Sequence, residues 1–310
     1  MKKHMDKIFT SNQNTFTFHV RVTKKCNADC SYCSSFETKF SELMSLENLE
    51  KSMSFISKMI VDYNIGGLRN HATVQYVGGE LLTVPPVYFK KFTQIIENSL
   101  SPLFDNFVQS GQTNLIGSKE KIIELYHTLD GHIGSSLDIS TAQRTIRKSS
   151  KKYDTIFIKN LDVVKKMTGK FPSSIIVIDE KMKPFLFDNI KFAEEKKMHL
   201  TLRPVFQGGM PVETLNENYL TDIYTSVFQH WFMKSNIAIE PLMGMVQKRL
   251  MKDKIYDDDF GYISGCNFQH NCATSSINLE PDGTLYVCLD MADGKHYPIG
   301  NAIKEEIYED

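Results

Sequence analysis

Two groups of cysteines carry the most pointed chemistry in this sequence. Cys26, Cys30 and Cys33 are spaced C-x3-C-x2-C within KKCNADCSYCSSFE, and Cys266, Cys272 and Cys288 gather near the other end. Together they are all six cysteines of the 310-residue chain. Thiolates this close bind soft metal, as zinc or as an iron–sulfur cluster. A structural zinc site takes four Cys or His ligands. No histidine lies between His19 and His71, and the cysteine after Cys33 is Cys266. A [4Fe–4S] cluster on three cysteines instead leaves one iron open. In the second group His270 stands between Cys266 and Cys272, so ligand types alone leave a Cys3His zinc site and an iron–sulfur cluster both open.

The elements that position these groups follow from the pattern. FTFHVRV (16–22) reads as a strand leading into the first cysteines, and ATVQYVGG (72–79), FVQS (107–110), IGSSLD (133–138), SSIIVID (173–179) and HLTLRPVF (199–206) read as further strands. Helical spacing falls between them, at 45–63, 86–100, 119–129, 158–169 and 184–197. About six βα units argue for an α/β fold, a parallel sheet closed into a full or partial barrel with its working loops at the strand C-terminal ends. QGGMPVETLNEN (207–218) is the expected linker. Beyond it a helix, LTDIYTSVFQHWFMK, precedes INLEPDGTLYVC, a β-hairpin turning at Pro-Asp-Gly. The expected division is a lead-in at 1–15, a barrel at 16–218 and a C-terminal region at 219–310.

The first cysteine group, with Tyr32 before its last member, resembles the signature of the radical S-adenosylmethionine (SAM) superfamily. VQYVGGELL resembles that family's second-strand Gly-Gly-Glu motif, FVQSGQTNLI its third-strand segment and GSSLDISTAQRTIR its fourth. Leu81 stands where the family usually has proline. The resemblance implies a partial (β/α)6 barrel in which Cys26, Cys30 and Cys33 hold a [4Fe–4S] cluster whose open iron is chelated by SAM. It implies reductive cleavage of SAM to a 5′-deoxyadenosyl radical. It assigns SAM contacts to Tyr32, Gly78, Gly79, Glu80, Ser110, Ser136, Asp138 and Arg147, with Arg144 competing for the last role. CNFQHNC, with Gly283 and Cys288 following, is similar to the core of SPASM and Twitch extensions, as are PIGNAIKEE and the helix bearing FQHWF. That likeness implies an auxiliary iron–sulfur cluster on Cys266, Cys272 and Cys288, with His270 or Asp290 as candidate fourth ligand.

With six cysteines assigned to clusters, none remains as a hydrogen-atom donor, which favours oxidative chemistry over epimerisation. The first expectation is a crosslink or thioether in a ribosomally made peptide, the second a Twitch-type dehydrogenation of a small polar molecule such as an aminocyclitol. Asp290 and Asp293 are the candidate general bases, with Glu80, Asp138 and His132 behind them. Expected partners are a reductant such as flavodoxin or ferredoxin and a separate peptide-recognition protein. A formal net charge of −1 argues against nucleic acid and against a non-enzymatic zinc protein that binds it, RTIRKSSKK (144–152) reading as a solvated loop. The N-terminal stretch has no apolar core of a signal peptide and no run is long and apolar enough to span a bilayer, so a cytoplasmic protein is expected.

Overall fold

The structure, a computed structural model, describes residues 15–33, 43–62, 71–205, 215–251 and 276–308. Strand β1 (Thr15–Thr23) shows how the sequence builds it. Phe16, Phe18, Val20 and Val22 are buried on one face, alternating with the polar Thr17, His19, Arg21 and Thr23. The apolar face joins the main core, and from the polar face His19 lines the lumen. A short strand β2 (Asp29–Cys30) follows, then α1 (Leu46–Asp62), β3 (His71–Gly78), α2 (Pro86–Leu100), β4 (Asn106–Thr113) and α3 (Lys119–Thr128). Next come β5 (Ile133–Ser136), β6 (Arg144–Thr145), α4 (Ser150–Thr168), β7 (Ser173–Ile178), α5 (Leu186–Lys196) and β8 (Leu200–Pro204).

The strands β1, β3, β4, β5, β7 and β8 lie side by side in that order, all parallel, which is the expected partial barrel. The helices between them are amphipathic, as the crossovers of a parallel sheet must be. In α1, Leu49, Met53, Ile56 and Ile60 form the buried stripe, and the Ser45 hydroxyl accepts from the Asn48 N–H at 3.1 Å. Helix α4 starts eight residues before the expected 158. Ser149 caps it by accepting from the Lys152 N–H, and Tyr153 and Phe157 extend the stripe of Leu161 and Val164. It ends at Gly169, whose φ of +73° suits a left-handed cap. Strand β4 runs past the expected FVQS to Thr113, which carries Gln112 inward.

After β8 come α6 (Glu217–Lys234), a short parallel β9 (Ile239–Glu240) and α7 (Leu242–Met251). At residue 276 the chain returns to its first strand. β10 (Ser276–Leu279) pairs in parallel with β1, from Thr17↔Ser276 to Val20↔Leu279. It then forms the expected hairpin with β11 (Thr284–Tyr286), turning through Gly283 at φ +84°. Helix α8 (Leu289–Gly294), β12 (Gly300–Asn301) and β13 (Glu306–Ile307) complete a continuous sheet that runs from β13 to β9.

A buried ion-pair network fastens this return. Arg21 donates from Nε to Glu280 at 2.8 Å and from Nη2 to Asp293 at 2.5 Å, and its side chain has 0% exposure. Lys24 reaches the other Glu280 oxygen at 3.2 Å, and the Asn278 amide donates to Glu280 at 2.9 Å. Among the described residues no helix is long and apolar enough to cross a membrane.

Candidate active site

The first cysteine group sits in the loop after β1, and three connections fix that loop. Its first anchor is the end of β3. Gly79 donates its N–H to the Thr23 carbonyl at 2.8 Å and Glu80 to the Lys25 carbonyl at 2.9 Å. The loop backbone comes so close that a Cβ on Gly79 would stand 2.1 Å from the Lys25 oxygen, and one on Gly78 (φ +143°) 2.3 Å from the Thr23 oxygen. The two glycines are therefore required by the approach of the cysteine loop itself. A Gly79→Ala variant is expected to lose about 2–3 kcal/mol of stability, because backbone must move to admit the methyl group. Thermal unfolding measures this, and a melting temperature equal to wild type would contradict it.

The second anchor is the segment after β4. The Asn114 amide donates to Asn27 at 2.9 Å and lies 3.9 Å from the Cys26 sulfur, while Asn27 donates to the Ile116 carbonyl at 2.5 Å. Glu80 ties the two anchors together. Its carboxylate accepts from Thr113 Oγ1 at 2.6 Å, from the Asn114 N–H at 2.6 Å and from the Leu82 N–H at 2.9 Å. Burial raises its pKa, and those hydrogen bonds pull it back.

The third anchor is the turn after β5. Asp29–Cys30 pairs antiparallel with Arg144–Thr145, and the Ser31 N–H donates to the Gln143 carbonyl at 2.9 Å. Tyr32 donates its hydroxyl to Asp138, which also takes the Arg144 Nε–H. Burial pushes the Tyr32 phenol well up, so it stays protonated and serves as donor. The guanidinium of Arg144 lies 5.3 Å from the Tyr32 ring centre and 5.8 Å from that of Tyr153.

All three cysteines of this loop line one cavity of about 910 Å3, which fills the lumen from the cysteine loop toward the N-terminal ends of β5 and β7. Burial raises the Cys26 thiol to about 11 and the Cys30 thiol to about 12. Among the described residues no three His, Cys, Asp or Glu side chains are gathered into a metal-binding group. The donor set still fits an iron–sulfur cluster: soft sulfurs on a single pinned loop, facing open volume. Iron loading should accordingly rise with pH between about 6.5 and 8.5, because each of these thiols must shed a proton before it can bind. Anaerobic iron retention at the two ends of that range checks the sign, and pH-independent loading would count against thiolate ligation.

The other sequence-derived site residues divide clearly. Tyr32, Gly78, Gly79, Glu80, Ser110, Ser136 and His132 line the cavity. Asp138 lies behind the lining, spent on Tyr32, Arg144 and the Val177 N–H at 3.3 Å. Arg147 is exposed and outside the cavity, with a φ of +50°, whereas Arg144 is 8% exposed and lines it. Of the two arginines competing for that role, Arg144 thus faces the lumen and Arg147 does not. Asp293 is held by Arg21 beneath β1. Asp290 lies 3.7 Å from Arg203; burial raises its pKa against the pull of Arg203 and with a push from Asp293. Neither carboxylate is part of the cavity lining, although Leu289 is. Cys288 is half-buried just before α8, while Cys266, Cys272 and His270 lie outside the described residues.

His19 and Arg203 also line the lumen and were missed by motif reading. The signal was present in β1, where polar residues alternate with a fully apolar face: in a barrel strand those positions point inward.

No protein-family model matches the chain, and no curated protein matches it. Solved structures do. anSMEcpe with bound AdoMet (SAM) and Cp18Cys peptide matches with a TM-score of 0.64 at 18% identity, over 94% of this chain and 79% of that one. SuiB of Streptococcus suis bound to SAM matches with a TM-score of 0.62 at 13% identity, over 98% of this chain and 67% of that one. SuiB bound to the precursor peptide SuiA gives 0.60 at 15% identity, over 98% and 66%. Both are radical SAM enzymes.

This chain has the radical SAM fold. In α/β barrels the working loops stand at the C-terminal ends of the strands, and the loop of Cys26, Cys30 and Cys33 is pinned there, after β1.

Proposed function

We propose that this chain is a radical SAM enzyme that oxidatively modifies a peptide. The observation that carries the reading is that Cys26, Cys30 and Cys33 all line one large cavity. When bound there, a [4Fe–4S] cluster with an open iron and SAM supplies one-electron chemistry and a 5′-deoxyadenosyl radical that takes hydrogen from the substrate. The protein's own part is to hold, orient and shield. Cys26, Cys30 and Cys33 are the ligands. Gly78 and Gly79 bring the β3 backbone to the cysteine loop, and Ser136 and Ser110 offer hydroxyls along the lumen. Arg144, neutralised in part by Asp138, is the cation at the cofactor end, in place of Arg147. Asp138 and Glu80 act as braces for this end through the hydrogen bonds that occupy them.

Cys266, Cys272 and Cys288 are proposed to hold an auxiliary iron–sulfur cluster in the 219–310 region, with His270 as candidate fourth ligand. Cys288 adjoins Leu289, which lines the lumen, so a cluster there would be placed to accept the electron that oxidation of a substrate radical releases. A peptide substrate is supported by the neighbours solved with Cp18Cys and SuiA peptides, and the cavity has a volume of about 910 Å3. A flavodoxin or ferredoxin reductant, a separate peptide-recognition protein and a cytoplasmic setting complete the reading.

Anaerobic reconstitution with iron and sulfide, followed by SAM and dithionite, tests it. About eight irons per chain supports two [4Fe–4S] clusters and about four supports the first alone. Release of 5′-deoxyadenosine is expected. Stoichiometric zinc without iron, or SAM left intact by a reduced iron-loaded chain, would remove the proposal.

A further inference from the structure

Among the described residues five cations line the lumen wall, Lys24, Arg144, Lys170, Lys197 and Arg203, with Glu80 as the carboxylate of the lining, already hydrogen-bonded three times. Three of the five have a carboxylate behind them: Lys24 has Glu280, Arg144 has Asp138 and Arg203 has Asp290. A concave site with low-dielectric walls focuses the field of the groups that face it, so a wall of this make-up favours negative charge on whatever enters.

Two residues set where that charge goes. Arg203 projects from β8 with 27% of its side chain open, steadied by Asp290 at 3.7 Å. His19, on β1, lines the same cavity, and the positive charge of Arg203 acts on its ring. Its Nδ1 is shut off from solvent and has no hydrogen-bond partner among the described residues. Burial, then Arg203, then Arg21 lower the imidazole pKa to about 4, so the ring is neutral at pH 7. An orphaned buried N–H costs more than an orphaned lone pair, which places the proton on Nε2. His19 then has an N–H donor to offer from the lumen wall, close enough to Arg203 to feel its charge. A neutral donor and a cation converging on one volume match a carboxylate, which accepts hydrogen bonds from both.

We propose that His19 and Arg203 form a subsite for a carboxylate of the substrate, distinct from the cofactor end at Arg144 and Ser136. This rests on the radical SAM reading of the same cavity, and it narrows the substrate to a peptide presenting an acidic side chain or a terminal carboxylate near the reacting position.

The test uses the full chain, reconstituted and saturated with SAM, and three blocked amino acids as probes. N-acetylglutamate α-amide carries a side-chain carboxylate, N-acetylglutamine a terminal carboxylate, and N-acetylglutamine amide neither. Calorimetric or ligand-observed NMR titration should show one of the acidic probes binding at least about tenfold more tightly than the neutral one, and which acidic probe does so identifies the source of the carboxylate. Arg203→Gln should erase that preference, Arg203→Lys should keep part of it, and His19→Asn should weaken it several-fold. The neutral probe controls for damage to the fold, since a collapsed lumen would change all three affinities. Equal binding of the three probes to the wild-type chain overturns the subsite. So does a preference that survives both Arg203→Gln and His19→Asn, or one that disappears with Lys170→Gln instead. A chain that takes no iron and leaves SAM intact defeats the enzymatic reading; the same titration on that chain still decides whether the carboxylate subsite exists.

Discussion

Cys30→Ala should leave a folded chain that holds no [4Fe–4S] cluster at its first site and releases no 5′-deoxyadenosine. The substitution removes a half-buried thiol but no hydrogen bond of the β2–β6 ladder, because Cys30 pairs with Arg144 through its backbone. Tyr32 remains tied to Asp138, and the loop keeps its contacts to Gly79, Glu80 and Gln143. The fold should therefore melt within about 0.5–1 kcal/mol of wild type, while SAM cleavage falls to background. A useful contrast is Asn114→Ala, which leaves every sulfur in place but takes away the amide beside Cys26 and its bond to Asn27. Such outer-shell changes typically cost about 10–100-fold in metal affinity or activity, well short of losing a ligand. Iron content and 5′-deoxyadenosine release, measured side by side, rank the two. If Cys30→Ala retained iron and cleaved SAM, the first cluster would have to be placed elsewhere.

The second large effect lies away from the chemistry. Arg21→Met should destabilise the chain by about 3–5 kcal/mol, a shift in melting temperature on the order of 10 °C. Arg21 lies between Glu280 and Asp293 with no solvent on it, so its removal takes a buried cation from two buried carboxylates, Glu280 keeping Lys24 at 3.2 Å. Neutralising them as well, in an Arg21→Met, Glu280→Gln, Asp293→Asn variant, should recover much of the loss, since no uncompensated buried charge remains. A single variant as stable as wild type would show that water reaches these carboxylates and that the network contributes little. The same geometry explains why Asp293, a reasonable general base by its nearness to Cys288 in sequence, is committed to a structural task.

Much of this was written in the sequence at the level of elements. Helical spacing and strand alternation placed α2 at residues 86–100 and the hairpin turn at Pro281–Gly283 as the structure has them. The six parallel strands followed from the alternation of patterns, and the cysteine loop from its spacing. What escaped was whatever depends on which distant side chains meet. Arg21 and Glu280 are 259 residues apart, and neither belongs to a local motif. Arg144 and Arg147 look equivalent on paper, and only the β2–β6 ladder, two residues long on each side, decides that Arg144 turns inward. The start of α4 was set by the Ser149 cap and by Tyr153 packing under the third anchor, a tertiary preference that local periodicity underrates. Glycines 78 and 79, read from the resemblance as SAM contacts, are pressed in the structure against the cysteine loop.

The parallel pairing of β1 with β10 also has a meaning for how the molecule is made. β1 leaves the ribosome well ahead of one of its two neighbours, which is synthesised about 259 residues later. At roughly 5–20 residues per second that interval is on the order of tens of seconds. Throughout it the edge of β1 that β10 will cover stays open to water and to other chains, and Arg21 has neither of its carboxylate partners. A strand with an unsatisfied edge is a template for the wrong neighbour. The nascent chain therefore depends on something to guard that edge, and expression should respond to holdase chaperones and to slower, cooler synthesis more than the stability of the finished protein suggests.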